Sequence, residues 1–163
     1  MRRKLTHVDA RGQVRMVDVA AKAPSVRRAV ARGEVRMKPQ TLRLIQQSRI
    51  AKGDVLAVAQ VAGVSAAKRT DELIPLAHTL PLTAVRLDFT LDDAAGVLGI
   101  EATASTVGRT GVEMEALTAV MGAALAIYDM CKAVDRGMTI ERVRLVSKTG
   151  GRTGAWRREG EQP

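Results

Sequence analysis

The alternation of hydrophobic and polar positions divides this 163-residue chain into a definite order of strands and helices. Residues 14–20 and 26–37 read as strands, the first of them short. Pro39 opens a helix to about residue 48, because proline is tolerated in a first turn, where its missing N–H leaves no bond unmade. Lys52-Gly53-Asp54 breaks that helix, and Asp54 is placed to cap a second one running to about residue 68. Pro75 and Pro81 mark an extended connection, since the residue before a proline is driven out of the helical region. Residues 84–91 and 97–107 alternate strictly, and the short stretch between them predicts a β-hairpin.

Residues 110–134, TGVEMEALTAVMGAALAIYDMCKAV, predict one long helix that is apolar almost all the way round. Such a helix lies in a core or against another subunit. Residues 139–147 form a last strand, and a Gly-rich basic tail closes the chain. The order β, α in two pieces, β, β, α, β predicts an α+β, ferredoxin-like (split βαβ) antiparallel sheet with helices packed on one face. The whole chain, 1–163, reads as a single domain with residues 1–13 and 155–163 as loose ends. With only three aromatic residues, Phe89, Tyr128 and Trp156, its core must be aliphatic.

Charge adds a polarity to this picture. The net charge of +9 is carried by the two ends, residues 1–36 at +7 and residues 142–163 at +4, while residues 37–141 sum to −2. Basic ends on a near-neutral body suit a polyphosphate, a nucleic acid or an acidic surface. Nineteen of the 26 basic residues are arginine. Arginine cannot release its proton near neutral pH, whereas lysine can, so the seven lysines stand out.

Within the apolar helix, Glu115, Asp129 and Lys132 need a reason to be there, because an unpaired buried charge is costly. Glu115 and Asp129 lie ~40° apart around a helix but ~21 Å apart along its axis. Within one chain they cannot serve one small-molecule centre. Either they line a long ligand, or two chains pair and each site takes one end from each. The neighbouring Ala, Met and Gly122 positions favour the second. Asp129 and Lys132, three apart, can touch either as a structural ion pair or as an acid–base pair. Desolvation would lower the lysine's pKa, and a carboxylate partner would oppose that. At the helix start, Thr110 and Glu113 fit a capping box, and Arg109 beside a helix N-terminus fits a phosphate.

Lys52 sits in a tight turn, and His78 follows Pro75-Leu76-Ala77, where a fixed backbone can aim its ring into a cleft. The segment Lys148-Thr149-Gly150-Gly151-Arg152, basic and rich in backbone N–H, suits either a phosphate cradle or a solvated tail. Two histidines, His7 and His78, and one cysteine, Cys131, are too few for a zinc site. Mg²⁺ brought in by a substrate's phosphates is the metal that this composition leaves room for. The N-terminal stretch lacks the apolar segment of a leader. No run approaches the ~18–20 apolar residues that span a bilayer. A cytoplasmic protein with no membrane partner is expected.

Several strings, taken together, resemble one family: Lys52-Gly53-Asp54, Asp71-Glu72-Leu73-Ile74-Pro75-Leu76-Ala77-His78, Thr110-Gly111-Val112-Glu113-Met114-Glu115-Ala116-Leu117, Ile127-Tyr128-Asp129-Met130-Cys131-Lys132-Ala133 and Lys148-Thr149-Gly150-Gly151. They resemble the cyclic pyranopterin monophosphate synthases of molybdenum cofactor biosynthesis, from Leu5-Thr6-His7 to about Trp156. The resemblance implies a ferredoxin-like homohexamer, a trimer of dimers, with active sites at a subunit interface. It implies a lyase that rearranges a cyclised dihydro-GTP to cyclic pyranopterin monophosphate, releasing pyrophosphate without a cofactor. On the same footing, Asp129 matches an active-site aspartate, and Lys52 and Lys132 match lysines implicated in catalysis. Leu76, Ala77, His78, Met114 and Glu115 match substrate-binding positions. Lys148, Lys22 and Arg27 match basic residues near the phosphates, to which the helix-start reading adds Arg109. Where the family usually reads Pro-Leu-Cys-His-Pro, this chain has Pro75-Leu76-Ala77-His78-Thr79, and Asp71-Glu72 replaces a commonly more apolar pair.

Other readings make different demands. A zinc-dependent GTP cyclohydrolase needs a Cys/His cluster that this chain lacks. A non-catalytic nucleotide- or RNA-binding ferredoxin-like module needs aromatics on the open sheet face to stack bases. Phe89 alone falls in a predicted strand, and its phase turns it inward. No nucleic-acid partner is therefore expected.

Overall fold

The computed structural model describes residues 12–161. Nine elements follow one another: β1 (Ser25–Arg36), α1 (Pro39–Gln46), α2 (Val55–Ala67), α3 (Thr70–Leu73), β2 (Leu82–Asp92), β3 (Val97–Gly108), α4 (Glu113–Cys131), β4 (Thr139–Thr149) and β5 (Trp156–Arg157). The sheet order is β2-β3-β1-β4-β5, with every neighbouring pair antiparallel. With β5 set aside, this is the split βαβ arrangement that the sequence predicts.

β1 is central, running from Ser25 opposite Gly108 to Arg36 opposite Val97 on β3. Its alternation sorts the two faces: Ala29, Ala31 and Val35 are fully buried, while Arg28 and Arg36 on the other face are exposed. On β3, Leu98, Ile100, Ala102 and Ala104 complete the inner face. The alanines matter because they let α4 lie close. A Cβ on Gly33 would meet Val120 Cγ1 of α4 at 2.6 Å.

α2 and α4 lie over this face and pack on each other through small residues. A Cβ on Gly63 would sit 2.9 Å from the Ala119 carbonyl oxygen, and one on Gly122 would sit 2.5 Å from Ala66 Cβ. Both helices are apolar on most sides, yet in the single chain α2 leaves Val58 and Val61 exposed and α4 leaves Met121 and Leu125 exposed. Asp54 caps α2 by accepting from the Ala57 N–H at 3.0 Å, as the sequence predicts. Asp135, just beyond α4, is buried. It accepts from the Lys38 N–H at 2.8 Å, the Thr41 hydroxyl at 3.1 Å and the Gly137 N–H at 3.1 Å. Burial works against its charge, but these bonds win and hold the carboxyl below its ordinary value. The end of α4 is thus tied to the start of α1.

The structure departs from the sequence reading in several places. The strand expected over residues 14–20 is a single bridge at Val14. Side chains take its backbone groups instead: Asp18 accepts from the Ala20 N–H at 2.8 Å, and the Val17 carbonyl bonds His78 at 2.9 Å. Before the extended connection the chain makes an extra turn of helix, α3, where the Thr70 hydroxyl donates to the Ala67 carbonyl at 2.9 Å. Where a loose tail was expected, Trp156 and Arg157 pair with Lys148 and Ser147. Glu161 accepts from Arg32 at 3.0 Å and also pairs with Arg144. Most of the arm expected over residues 1–13, with His7 and Leu5-Thr6, lies outside the described residues. Finally, α4 is, by length and composition, apolar enough to cross a membrane. That corrects the expectation that no run is long enough. More than half of it is buried under α2 and the sheet.

Gly63→Ala tests the close packing. Alanine adds ~1 kcal/mol of helix propensity, but the clash with backbone should cost more, as overpacking does at ~1–3 kcal/mol. A lower urea midpoint than the unsubstituted chain is expected. A higher midpoint would show that α2 and α4 have room to separate.

Candidate active site

Two polar clusters stand at opposite ends of α4. At its C-terminal end, Asp129 holds two lysines on separate oxygens: Lys132 Nζ on Oδ1 at 2.7 Å and Lys52 Nζ on Oδ2 at 2.8 Å. Lys52 also donates to the Asp129 main-chain carbonyl at 2.8 Å. Helix carbonyls in a last turn lack intrahelical partners and attract cations, so the lysine satisfies one of them. The turn after α1 carries Lys52 here, with Gly53 at φ 105°, a conformation that side chains other than glycine's resist.

The Asp129 side chain remains 57% accessible in the single chain. Hydrogen bonds from Lys132 first, then Lys52, lower its pKa to about 2. Both ion pairs therefore persist throughout the neutral range, and protonation undoes them only as pH falls from 3.8 through about 2. Of the two opposed effects expected at Lys132, the carboxylate prevails. Its pKa is raised by the Asp129 hydrogen bond, because a half-exposed ammonium loses little hydration.

At the N-terminal end of α4, a cavity of about 380 Å³ is lined by Lys22, Leu76, Ala77, His78, Met114 and Glu115, together with Gly111 and Glu113. All five substrate-binding positions implied by resemblance meet here, with one of the basic residues. His78 Nε2 lies 2.9 Å from the Val17 carbonyl. A carbonyl only accepts, so Nε2 carries the proton in this bond. Glu115 is only 4% accessible. Its pKa is raised, chiefly by burial, with Glu113 and Asp71 adding like-charge repulsion.

The remaining basic residues flank this cavity. Lys148 pairs with Glu113 at 3.0 Å and lines a crevice with Arg27, Arg28 and Gly111. Arg27 donates to the Gly108 carbonyl at 3.3 Å and to the Arg109 carbonyl at 3.4 Å, bracing the β3–α4 loop. Arg109 bonds the Ala20 carbonyl and lines an adjoining apolar hollow with His78 and Pro81. The capping box is not formed: Val112 is the N-cap, no side chain caps it, and Glu113 folds over Gly111 toward Lys148. Lys148 lies 35 positions further along the chain, beyond any local spacing rule, so the sequence carried no signal for that pair.

The structure thus separates the residues into two groups. Asp129, Lys52 and Lys132 form one, and the others gather around the cavity at the far end of a 19-residue helix. No group of three or more His, Cys, Asp or Glu among the described residues could hold a metal ion. Cys131 is buried, and burial raises its pKa to about 11, so its thiol stays protonated.

The fold is thus an α+β, ferredoxin-like one that carries a lysine–aspartate–lysine triad at one end of α4 and, at the other, a cavity whose charged lining is Lys22, Glu113 and Glu115. The chain belongs to the MoaC family, whose model matches residues 16–151. It is 62% identical over 159 residues, 98% of this chain and 96% of the relative, to the cyclic pyranopterin monophosphate synthase of Thermomicrobium roseum. It is 61% identical to that of Chloroflexus aurantiacus, over 95% of each chain. The synthase of Pelotomaculum thermopropionicum is 58% identical over 97% of this chain and 93% of its own.

Glu115 makes stability depend on pH. A carboxyl whose folded pKa is raised stabilises the fold fully below its ordinary value of 4.5, and that contribution is lost as pH rises through the folded value. Glu115→Gln should therefore gain in melting temperature relative to the unsubstituted chain between pH 5 and pH 8. A difference independent of pH would mean that Glu115 carries no unfavourable charge.

Proposed function

We propose that this chain converts the cyclised dihydro-GTP to cyclic pyranopterin monophosphate and pyrophosphate, as a cytoplasmic lyase of molybdenum cofactor biosynthesis. The observation that carries the reading is Asp129 holding Lys52 and Lys132 on separate oxygens, in a chain 62% identical to a named synthase. The rearrangement opens a guanine-derived ring, builds a pterin and closes a cyclic phosphate, so protons must move at several atoms. Two ammonium groups held by one carboxylate are placed as proton donors, with Lys132 made the weaker acid by its bond to Asp129. Each becomes a base once it has given up its proton. Asp129 orients the pair and favours the protonated form of Lys132 at rest.

Lys148, Lys22, Arg27 and Arg109 supply positive charge for the triphosphate and the departing pyrophosphate. Ring closure on the first phosphorus expels pyrophosphate without water or a redox partner, which makes the reaction a lyase step served by these side chains. Mg²⁺ enters this scheme only as a companion of the substrate's phosphates. The RNA-binding alternative finds little support: Phe89 packs against the core, and the Tyr128 hydroxyl donates to the Arg136 carbonyl at 3.1 Å.

One active site then takes groups from two chains. Glu115 and Asp129 are ~21 Å apart along the helix, too far for one nucleotide-sized centre. From the cavity's Met114 toward the triad, exposed Met114, Met121 and Leu125 make an apolar stripe on α4. An antiparallel second copy laid along that stripe brings the triad of one chain to the cavity of the other. Three such pairs make the hexamer.

Lys52→Ala, Lys132→Ala and Asp129→Asn should each lower pyrophosphate release by ~100-fold or more, with unchanged circular dichroism. Near-normal turnover in all three would sink the assignment. Mixing Asp129→Asn chains with Lys148→Gln chains, each nearly inactive alone, should restore activity through hybrid pairs that keep one intact site. No recovery after subunit exchange would place the whole site in one chain.

A further inference from the structure

The connection between α3 and β2 carries Leu76, Ala77 and His78 into the cavity, yet it has no ladder bonds of its own. Before His78, the Ala77 N–H donates to the Ile74 carbonyl at 2.9 Å. Near the end of the connection, the Thr106 hydroxyl donates to the Pro81 carbonyl at 2.6 Å. Immediately after His78, the Thr79 hydroxyl donates to the Asp71 carboxylate. The ring's own bond to Val17 gives little support, because residues 15–19 belong to no helix or strand. Asp71, by contrast, stands on α3, whose first residue, Thr70, is buried and bonded to Ala67. The bond to such a post is charge-assisted, though solvent-exposed, and it is the one nearest His78 that ties this connection to a helix.

We propose that Asp71 is a positioning residue for His78, pinning through the Thr79 hydroxyl the backbone that presents the imidazole to the cavity. Asp71 also bears on Glu115 through its charge, and substitutions separate the two effects. Asp71→Asn keeps an oxygen to accept the Thr79 proton but removes the charge. Thr79→Val removes the hydroxyl and keeps the charge. The Thr79 N–H makes no hydrogen bond among the described residues, so the hydroxyl is this residue's tie to the rest of the fold.

The test uses the full chain carrying His7→Gln, which leaves His78 as its sole histidine. Nitrogen-15 spectra of the imidazole should show one fixed N–H tautomer in that background, in Asp71→Asn and in Thr79→Ser. In Asp71→Ala and Thr79→Val they should show signals averaged toward free imidazole. With the cyclised dihydro-GTP, these last two variants should raise KM about tenfold with kcat little changed, the scale of one lost charge-assisted bond. The double variant should be no worse than either single one, because both remove the same bond. Unchanged His78 signals in Thr79→Val would overturn the proposal, as would strictly additive effects in the double variant. The kinetic arm rests on the proposed function. If the unsubstituted chain fails to turn over, that reading falls, and the imidazole spectra still decide the positioning role.

Discussion

The contact on which this structure depends is the close seating of α4 on an inner sheet face made small by Ala29, Ala31, Ala102 and Ala104, and against α2 through Gly63 and Gly122. That seating makes α4 a rigid strut. A helix has a fixed rise per residue, so the distance between groups at its two ends is set by counting and cannot relax. Every functional consequence in this fold, including the separation of its polar clusters, starts from that rigidity.

The two ends solve opposite electrostatic problems. At the C-terminal end, Asp129 lies in water with two ammonium groups on it, and the pairing strengthens the ionised forms of Asp129 and Lys132. At the N-terminal end, Glu115 is stripped of water and set near two further carboxyls, so its neutral form is favoured. One helix thus presents a charged aspartate and a reluctant glutamate, differing in environment rather than in chemistry. Some of the basic residues of the chain ends meet near the second site, while Arg32, Arg36 and Arg144 pair with glutamates elsewhere on the sheet. Lys22 and Arg27 come from before and within β1, and Lys148 comes from β4. The uneven charge along the sequence therefore has a spatial meaning.

Much of this could be read in the sequence, and the failures have physical causes. Strict alternation over residues 84–91 and 97–107 marked β2 and β3, since a half-buried strand leaves no freedom in which face is apolar. Asp54 was legible as a cap because a cap acts within one turn of its own position. Residues 14–20 misled because alternation alone does not supply a neighbouring strand, and Asp18 offered the backbone another partner. Thr110 and Glu113 matched a local rule, but Lys148, distant in sequence and near in space, claimed the carboxylate. Thr79 and Asp71 stood out only as departures from the family's pattern, and nothing foretold their pairing, since a hydroxyl meeting a carboxylate across a loop has no characteristic spacing.

By itself the sequence determined the order of the main elements, the aliphatic core, the apolar character of α4 and the scarcity of lysine among its basic residues, while the resemblance singled out particular lysines. These follow from periodicity, composition and residue chemistry, properties that each segment carries wherever it lies. Only the tertiary structure decided that Lys52 reaches Asp129, that Lys148 reaches Glu113, and that Glu115 is buried while Asp129 is not. Those outcomes depend on how the sheet and helices are stacked, and no local pattern encodes a distance between segments that meet only when the chain is folded.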